Sequence, residues 1–245
     1  MEENKKHTKK EKYELSKKQK AEQKLQAAKK QKAKKMVIWG STSLIIVASL
    51  WGVVKLASNQ APDLENVKLS NEVTAEDHVA GNAESGVVLV AYEDFQCPAC
   101  RSYTPMLKEM KEEYGDSIAF VFRHFPLRQI HRNAQLASQA AVAAESQGMF
   151  WEMHDMLYAE QPSWSNIGNP EDTFVGYAED LGLNTEQFRN DMLSDASEQR
   201  VNNDYDSGFS SGVSGTPTFF LNGDKIQNPR DYDELKALLD GALAN

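Results

Sequence analysis

Cysteine is almost absent from this 245-residue chain: there are two, Cys97 and Cys100. A framework of distant disulfide staples is therefore excluded, and so is a zinc ribbon, which needs a second Cys-x-x-Cys. The five histidines are scattered; His131 and His154 lack metal-like spacing, read as structural or exposed, and no metal site is expected. Basic charge is scarce outside the N-terminus. Residues 1–35 hold fourteen lysines against five glutamates, whereas the remainder holds 13 basic and 31 acidic side chains within an overall net charge of −9. That acidic remainder excludes nucleic acid as a partner, because phosphate binding needs a basic surface. Internal repeats are also missing.

One long uncharged run is present. Met36 to Val54, MVIWGSTSLIIVASLWGVV, would span about 29 Å as a helix, one bilayer hydrocarbon core, with Trp39 and Trp51 near its ends. The lysine block before it predicts a cytoplasmic N-terminus by the positive-inside rule. The expected organisation is a basic cytoplasmic tail over 1–35, a transmembrane anchor over 36–55, an extracytoplasmic linker over 56–82 and a catalytic domain over 83–245. The predicted location is the cell membrane, single-pass, with the domain outside. The apolar run is longer than a signal-peptide core, Lys55 follows it directly and a convincing cleavage site is missing, so the anchor is read as uncleaved. The tail, with two leucines as its only large aliphatics, is too poor in apolar residues to build a core.

Within the domain, Gly86 to Phe95 is an apolar run of strand length, Arg101 to Tyr114 carries apolar residues at helical spacing, and Ile118 to Phe125 reads as a second strand. Strand, helix and strand in forty residues predict a βαβ unit with a parallel pair. From about 129 to 209 the pattern is helical throughout, too long for a connection, and reads as an inserted helical subdomain. Thr216 to Leu221 is strand-like, Asn222-Gly223 is a hairpin signal, Lys225 to Gln227 pairs back, and Asp231 to Leu243 is an amphipathic helix.

The chemistry rests on Cys97-Pro98-Ala99-Cys100. A disulfide across four residues stabilises by only ~2 kcal/mol, so redox lability explains the spacing better than stapling does. Pro98 suits a first helical turn, which puts the Cys97 thiol against unpaired N–H groups that favour thiolate. Cys97 is thus the nucleophile and Cys100 the resolving thiol. Gly215-Thr216-Pro217-Thr218 opens a strand; from the residues alone an ordinary trans Pro217 is favoured over a cis one that would free the preceding backbone for an extended peptide.

Four blocks carry a resemblance. Phe95-Gln96-Cys97-Pro98-Ala99-Cys100, Phe122-Arg123-His124-Phe125-Pro126-Leu127, Phe150-Trp151-Glu152-Met153-His154-Asp155 and Gly212-Val213-Ser214-Gly215-Thr216-Pro217-Thr218 together resemble the DsbA-type thiol–disulfide oxidoreductases. The likeness covers roughly residues 75–245. It implies an α/β, thioredoxin-like fold with an all-helical insertion, here preceded by one transmembrane helix, and a cis Pro217 facing the cysteine pair. It implies a redox-active disulfide and no other cofactor, reduced exported proteins as substrates meeting Thr216 and Pro217, and a quinone-linked membrane oxidase for reoxidation. A reductase or isomerase of the same fold and a non-enzymatic binding module are the alternatives.

One departure stands out. Relatives commonly carry a buried acid six residues before the first cysteine; that position is Ala91 here. Glu93, two residues on and on the same strand face, is the candidate replacement as proton relay, the alternatives being a solvated strand end or relay by bulk water. Met149, Met153 and Met156 share a helix face and read as core filling, a flexible peptide surface being the alternative. Asn202 to Gly208 hints at a calcium loop, but its glycine is one place late and Val213 stands at the twelfth position, which excludes it.

Overall fold

The computed structural model describes residues 67–244 continuously, together with isolated positions between 17 and 51. The expected tail, anchor and first part of the linker lie outside the continuously described residues. Among the described residues no helix is long and apolar enough to cross a membrane.

The strand–helix–strand reading holds. β2 (Val88–Glu93) and β3 (Ala119–His124) pair in parallel, joined by α1 (Pro98–Tyr114). Both strands are near-continuous buried apolar runs, as strands covered on both faces must be. β4 (Thr218–Leu221) lies antiparallel to β2 on its other side, and β5 (Asp224–Lys225) turns back onto β4. The turn between them takes φ 51° at Asn222 and 85° at Gly223, the pair of left-handed conformations for which Asn-Gly is suited.

The linker expectation is corrected from residue 67 onward. Leu69 N–H donates to the Gly223 carbonyl and Lys225 N–H to that of Val67, so this segment lies against the β4–β5 hairpin. It continues into a fifth strand, β1 (His78–Gly81), antiparallel to β3, giving the sheet order β1-β3-β2-β4-β5. Arg123 of β3 ties the segment down: it holds Asp77 through two bonds of 2.7 and 3.0 Å and also donates to the Asn71 and Glu72 carbonyls.

The helical insertion runs through α2 (Ala134–Glu145), α3 (Phe150–Ala159), the short α4 (Gln161–Trp164), α5 (Glu171–Asp180), α6 (Thr185–Met192) and α7 (Asp195–Ser210). Alanines of α2 pack with Phe150, Met153, Leu157, Trp164, Phe174 and Phe188 in one apolar cluster. The closing helix α8 (Tyr232–Leu243) covers one sheet face beside α1, where Leu235 and Leu239 meet Leu107, Met110, Phe120 and Phe219. Val90, Tyr92, Val121 and Phe220 face the other way. Cys97, Cys100, Phe95 and Phe122 belong to the cluster of the insertion, which places the cysteine pair where the helical block meets the sheet.

Candidate redox site

Cys97 is the N-cap of α1 in extended backbone (φ −72°, ψ 119°), and Pro98 takes the first turn, where its missing N–H costs nothing. The Cys97 N–H is held by the Asp94 carbonyl at 3.0 Å. Both cysteines are free thiols; Cys97 is 6 % exposed and Cys100 fully buried. Their environments drive them apart. A hydrogen bond from the Cys100 thiol, working against burial and aided by Thr216 and the backbone N–H groups of Cys100 and Ala99, brings Cys97 down to about 5. Burial, the bond to Cys97 and the charges of Glu93 and Cys97 push Cys100 well above the ordinary thiol range. The helix-start N–H groups expected to favour the thiolate do so, but second to the partner thiol.

Thr216 and Pro217 stand opposite. The Cys97 Sγ lies 3.5 Å from the Thr216 carbonyl oxygen. The Thr216–Pro217 bond is cis, as the resemblance implied and contrary to the trans bond favoured from the residues alone. The two isomers of an X–Pro bond lie close in energy, so the adjoining residues alone do not decide between them and the surrounding fold does. Asn228 Nδ2 donates to the Pro217 carbonyl at 2.8 Å, which fixes the segment from the hairpin side.

Glu93 is not a solvated strand end. It is 1 % exposed, and the Tyr158 hydroxyl donates to its Oε2 at 2.7 Å while Oε1 has no protein partner. Burial raises its pKa to about 7; the Tyr158 bond opposes this, the Cys97 charge adds to it and Lys111 offsets part. The reason the strand end is dry is that α3 of the insertion lies over it, a contact between residues 65 positions apart. Ala91, the usual place of the acid, is fully buried in the sheet.

Several residues escaped the sequence reading. Buried Asp94 accepts hydrogen bonds from the N–H groups of Gln96 (2.7 Å) and Leu127 (2.9 Å) and pairs with His131 Nδ1 at 2.7 Å. That pairing raises the His131 pKa against partial burial, and the Cys97 charge acts in the same direction. Gln161 Nε2 donates to the Phe95 and Cys97 carbonyls at 2.7 and 3.0 Å, and Gln96 is clamped between Asn133 N–H and the Ser165 carbonyl. Asp94, three residues before Cys97, was the one signal available in the sequence. Of the three methionines, Met153 is fully buried in the insertion core while Met149 and Met156 are partly exposed. His154 is buried, with Nδ1 2.8 Å from Asp155.

A family model described as thioredoxin matches residues 73–241. The chain belongs to the thioredoxin family. Among solved structures, BdbD from Bacillus subtilis in its oxidised form superposes with a TM-score of 0.63 at 23 % identity, covering 74 % of this chain and all of that one. α-DsbA1 from Wolbachia pipientis gives 0.62 at 19 % identity, over 70 % of this chain and 93 % of that one. The catalytic domain of Proteus mirabilis ScsC gives 0.57 at 24 % identity, over 72 % and 93 %. The fold is therefore that of the DsbA-type thiol–disulfide oxidoreductases, a thioredoxin-like sheet with a helical insertion. Curated relatives bear another name: Na(+)/H(+) antiporter NhaA 3 of Salinispora tropica is 41 % identical over 169 residues, which is 69 % of this chain and 25 % of that protein. The chain spans about a quarter of the length of the curated relatives it matches.

Proposed function

We propose that this thioredoxin-family chain is an extracytoplasmic disulfide oxidase that transfers the Cys97–Cys100 disulfide to reduced, newly exported proteins. The asymmetry of the two thiols carries the reading. A Cys97 thiolate with a pKa of about 5 stabilises the reduced pair, and a stabilised reduced form makes its disulfide the stronger oxidant.

A substrate thiolate attacks Cys97 Sγ, the Cys97–Cys100 bond breaks, and Cys100 leaves with the electron pair. Cys100, held well above the ordinary thiol range, takes up a proton. Glu93, buried and titrating at about 7, is the group proposed to supply it. A second substrate thiolate then attacks the substrate sulfur of the mixed disulfide, and Cys97 departs as thiolate. Two electrons have passed to the cysteine pair and the substrate carries a disulfide. The Thr216 carbonyl beside Cys97, with Pro217 next to it, is the proposed contact for an extended substrate backbone. Reoxidation is assigned to a quinone-linked membrane oxidase, and a single-pass anchor over 36–55 would hold the domain near it by effective concentration.

Two measurements test this. Equilibration with glutathione buffers gives the reduction potential of the pair; a value at or below that of thioredoxin, about −270 mV, would replace the oxidase by a reductase. Protease added to intact spheroplasts should degrade the domain over 67–244, and its protection would refute the topology.

A further inference from the structure

Behind the redox site lies a second cluster that the thiol chemistry does not use. His78 on β1, His124 at the end of β3 and Asp204 on α7 are 3 %, 0 % and 5 % exposed, and one donor atom of each lies within 4.8 Å of the others. Neither ring nitrogen of His124 has a hydrogen-bond partner, nor does His78 Nε2. Such orphaned buried groups are costly to leave unpaired, and each calls for a bound water or ion. His78 Nδ1 also makes no hydrogen bond, although Oε1 of Glu145 on α2 lies 2.9 Å from it, close enough to serve as an outer carboxylate if the ring turns toward an ion.

We propose that His78, His124 and Asp204 form a zinc site, with Glu145 as the outer carboxylate of His78. The donor set decides the class of ion. Two imidazole nitrogens with one carboxylate suit a divalent first-row metal, whereas calcium and magnesium take oxygen ligands and copper(I) takes sulfur. Asp204 already accepts from the His124 N–H at 3.0 Å and from Arg200; a carboxylate has about four lone-pair positions, so both bonds can persist beside a metal. A polar cavity of about 550 Å³, lined in part by Asn71, Asp77, Arg200 and Asp204, reaches the Asp204 side of the cluster. The ligands come from three separate elements, which is why their sequence spacing carried no metal signature. A bound ion would join the edge strand, the sheet and the insertion in a domain whose two cysteines are committed to redox work. His124 is also the register partner of Glu93, so the ion would brace the strand end beneath the redox site.

The test uses the full chain in detergent with Cys97 and Cys100 oxidised, so that the thiols cannot take metal. After exposure to zinc chloride and gel filtration, elemental analysis should find one zinc per chain, and zinc but not calcium should raise the thermal midpoint. Cobalt(II) on the wild-type chain should give the visible absorption of a nitrogen–oxygen site. His78→Gln lies on an edge strand and should fold; it should bind zinc at least about tenfold more weakly, and Asp204→Asn should do the same. No retained zinc and no cobalt spectrum would mean that the cluster is merely hydrated. Calcium retained in place of zinc, or zinc binding undiminished in His78→Gln, would equally overturn the proposal.

Discussion

The Tyr158 hydroxyl hydrogen-bonds the Glu93 carboxylate at 2.7 Å, and each residue is 1 % exposed. One belongs to the insertion and the other to the central strand, so this bond joins the two halves of the domain beneath the thiols. It is also the one hydrogen bond that draws Glu93 back toward its ordinary value.

Glu93 should make the reduced domain less stable as pH rises. Its folded pKa, about 7, stands above the unfolded value of 4.5. The proton is thus bound more tightly when folded: that stability is fully present below pH 4.5 and lost as pH rises through about 7. Relative to Glu93→Gln, wild type should lose on the order of 3 kcal/mol across this window. Urea midpoints of the two reduced proteins give the difference, in which Cys97 largely cancels. Tyr158→Phe should move the loss to higher pH. A flat difference between wild type and Glu93→Gln would show that Glu93 does not titrate in this range.

The reduction potential should change slope with pH near 5, where Cys97 titrates. Below that, reduction takes up two protons and the potential falls about 59 mV per pH unit; above it Cys100 alone is protonated and the slope halves to about 30 mV. Acid-pH alkylation should label Cys97 before Cys100, and Cys100→Ser should trap mixed disulfides. A slope that stays unbroken down to pH 4 would place the thiolate elsewhere.

Arg123→Met should destabilise the domain by about 3–5 kcal/mol, because it strands a buried carboxylate. Burial pushes the Asp77 pKa up, but the Arg123 hydrogen bonds and charge outweigh it and the net shift is downward. The stability from that pair is therefore present above the unfolded value of 3.8 and lost as pH falls below it. The penalty of Arg123→Met should accordingly shrink in acid, as denaturation curves at pH 7 and pH 3 would show. An equal penalty at both would assign the cost to packing.

The parts legible in sequence are those whose cause is local. Val88–Glu93 and Ala119–His124 are apolar runs, Pro98 marks a helix start, and Asn222-Gly223 fits its left-handed turn. β1 was not legible: His-Val-Ala-Gly is four residues long, and its place depends on pairing with Phe122 and its neighbours some forty residues later. The same holds for Glu93, whose burial needs Tyr158, and for the Asp94–His131 pair. Cys97 and Cys100 were legible as a pair because they stand three positions apart at a helix start; the groups that shift their pKa values come from distant segments and meet them only in the fold.

Gly208→Ala should cost about 1–3 kcal/mol, the range for overpacking a filled core. A Cβ there would stand 2.7 Å from Phe125 Cδ2 and 2.9 Å from the Tyr92 ring, where α7 crosses the sheet. Tyr92 is fully buried and its hydroxyl is tied to Ser207 at 2.9 Å, so it has little room to yield. An unchanged denaturation midpoint would mean that the helix shifts freely over the sheet.

The oxidising strength follows from what surrounds Cys97. Pro98 and Ala99 supply no cation, so the thiolate depends on the Cys100 thiol, Thr216 and backbone N–H groups, with His131 acting at longer range. A pKa of about 5 falls between the values of roughly 7 for thioredoxin and 3.5 for DsbA. The potential should follow, between about −270 and −120 mV, and we expect it near −180 mV, within roughly 50 mV. Ala99→His places a cation one residue from Cys100 and should raise the potential while lowering the Cys97 pKa. His131→Gln removes the imidazole paired with Asp94, whose pKa that pairing raises, and should do the reverse, by a smaller amount. The two variants separate an electrostatic cause from a general loosening of the site, which would move both in one direction. Potentials from glutathione equilibration, set beside Cys97 pKa values from thiolate absorbance, must move in opposition across the three proteins. If the potential shifts while the pKa stays fixed, the oxidising strength resides in strain of the disulfide and not in the thiolate.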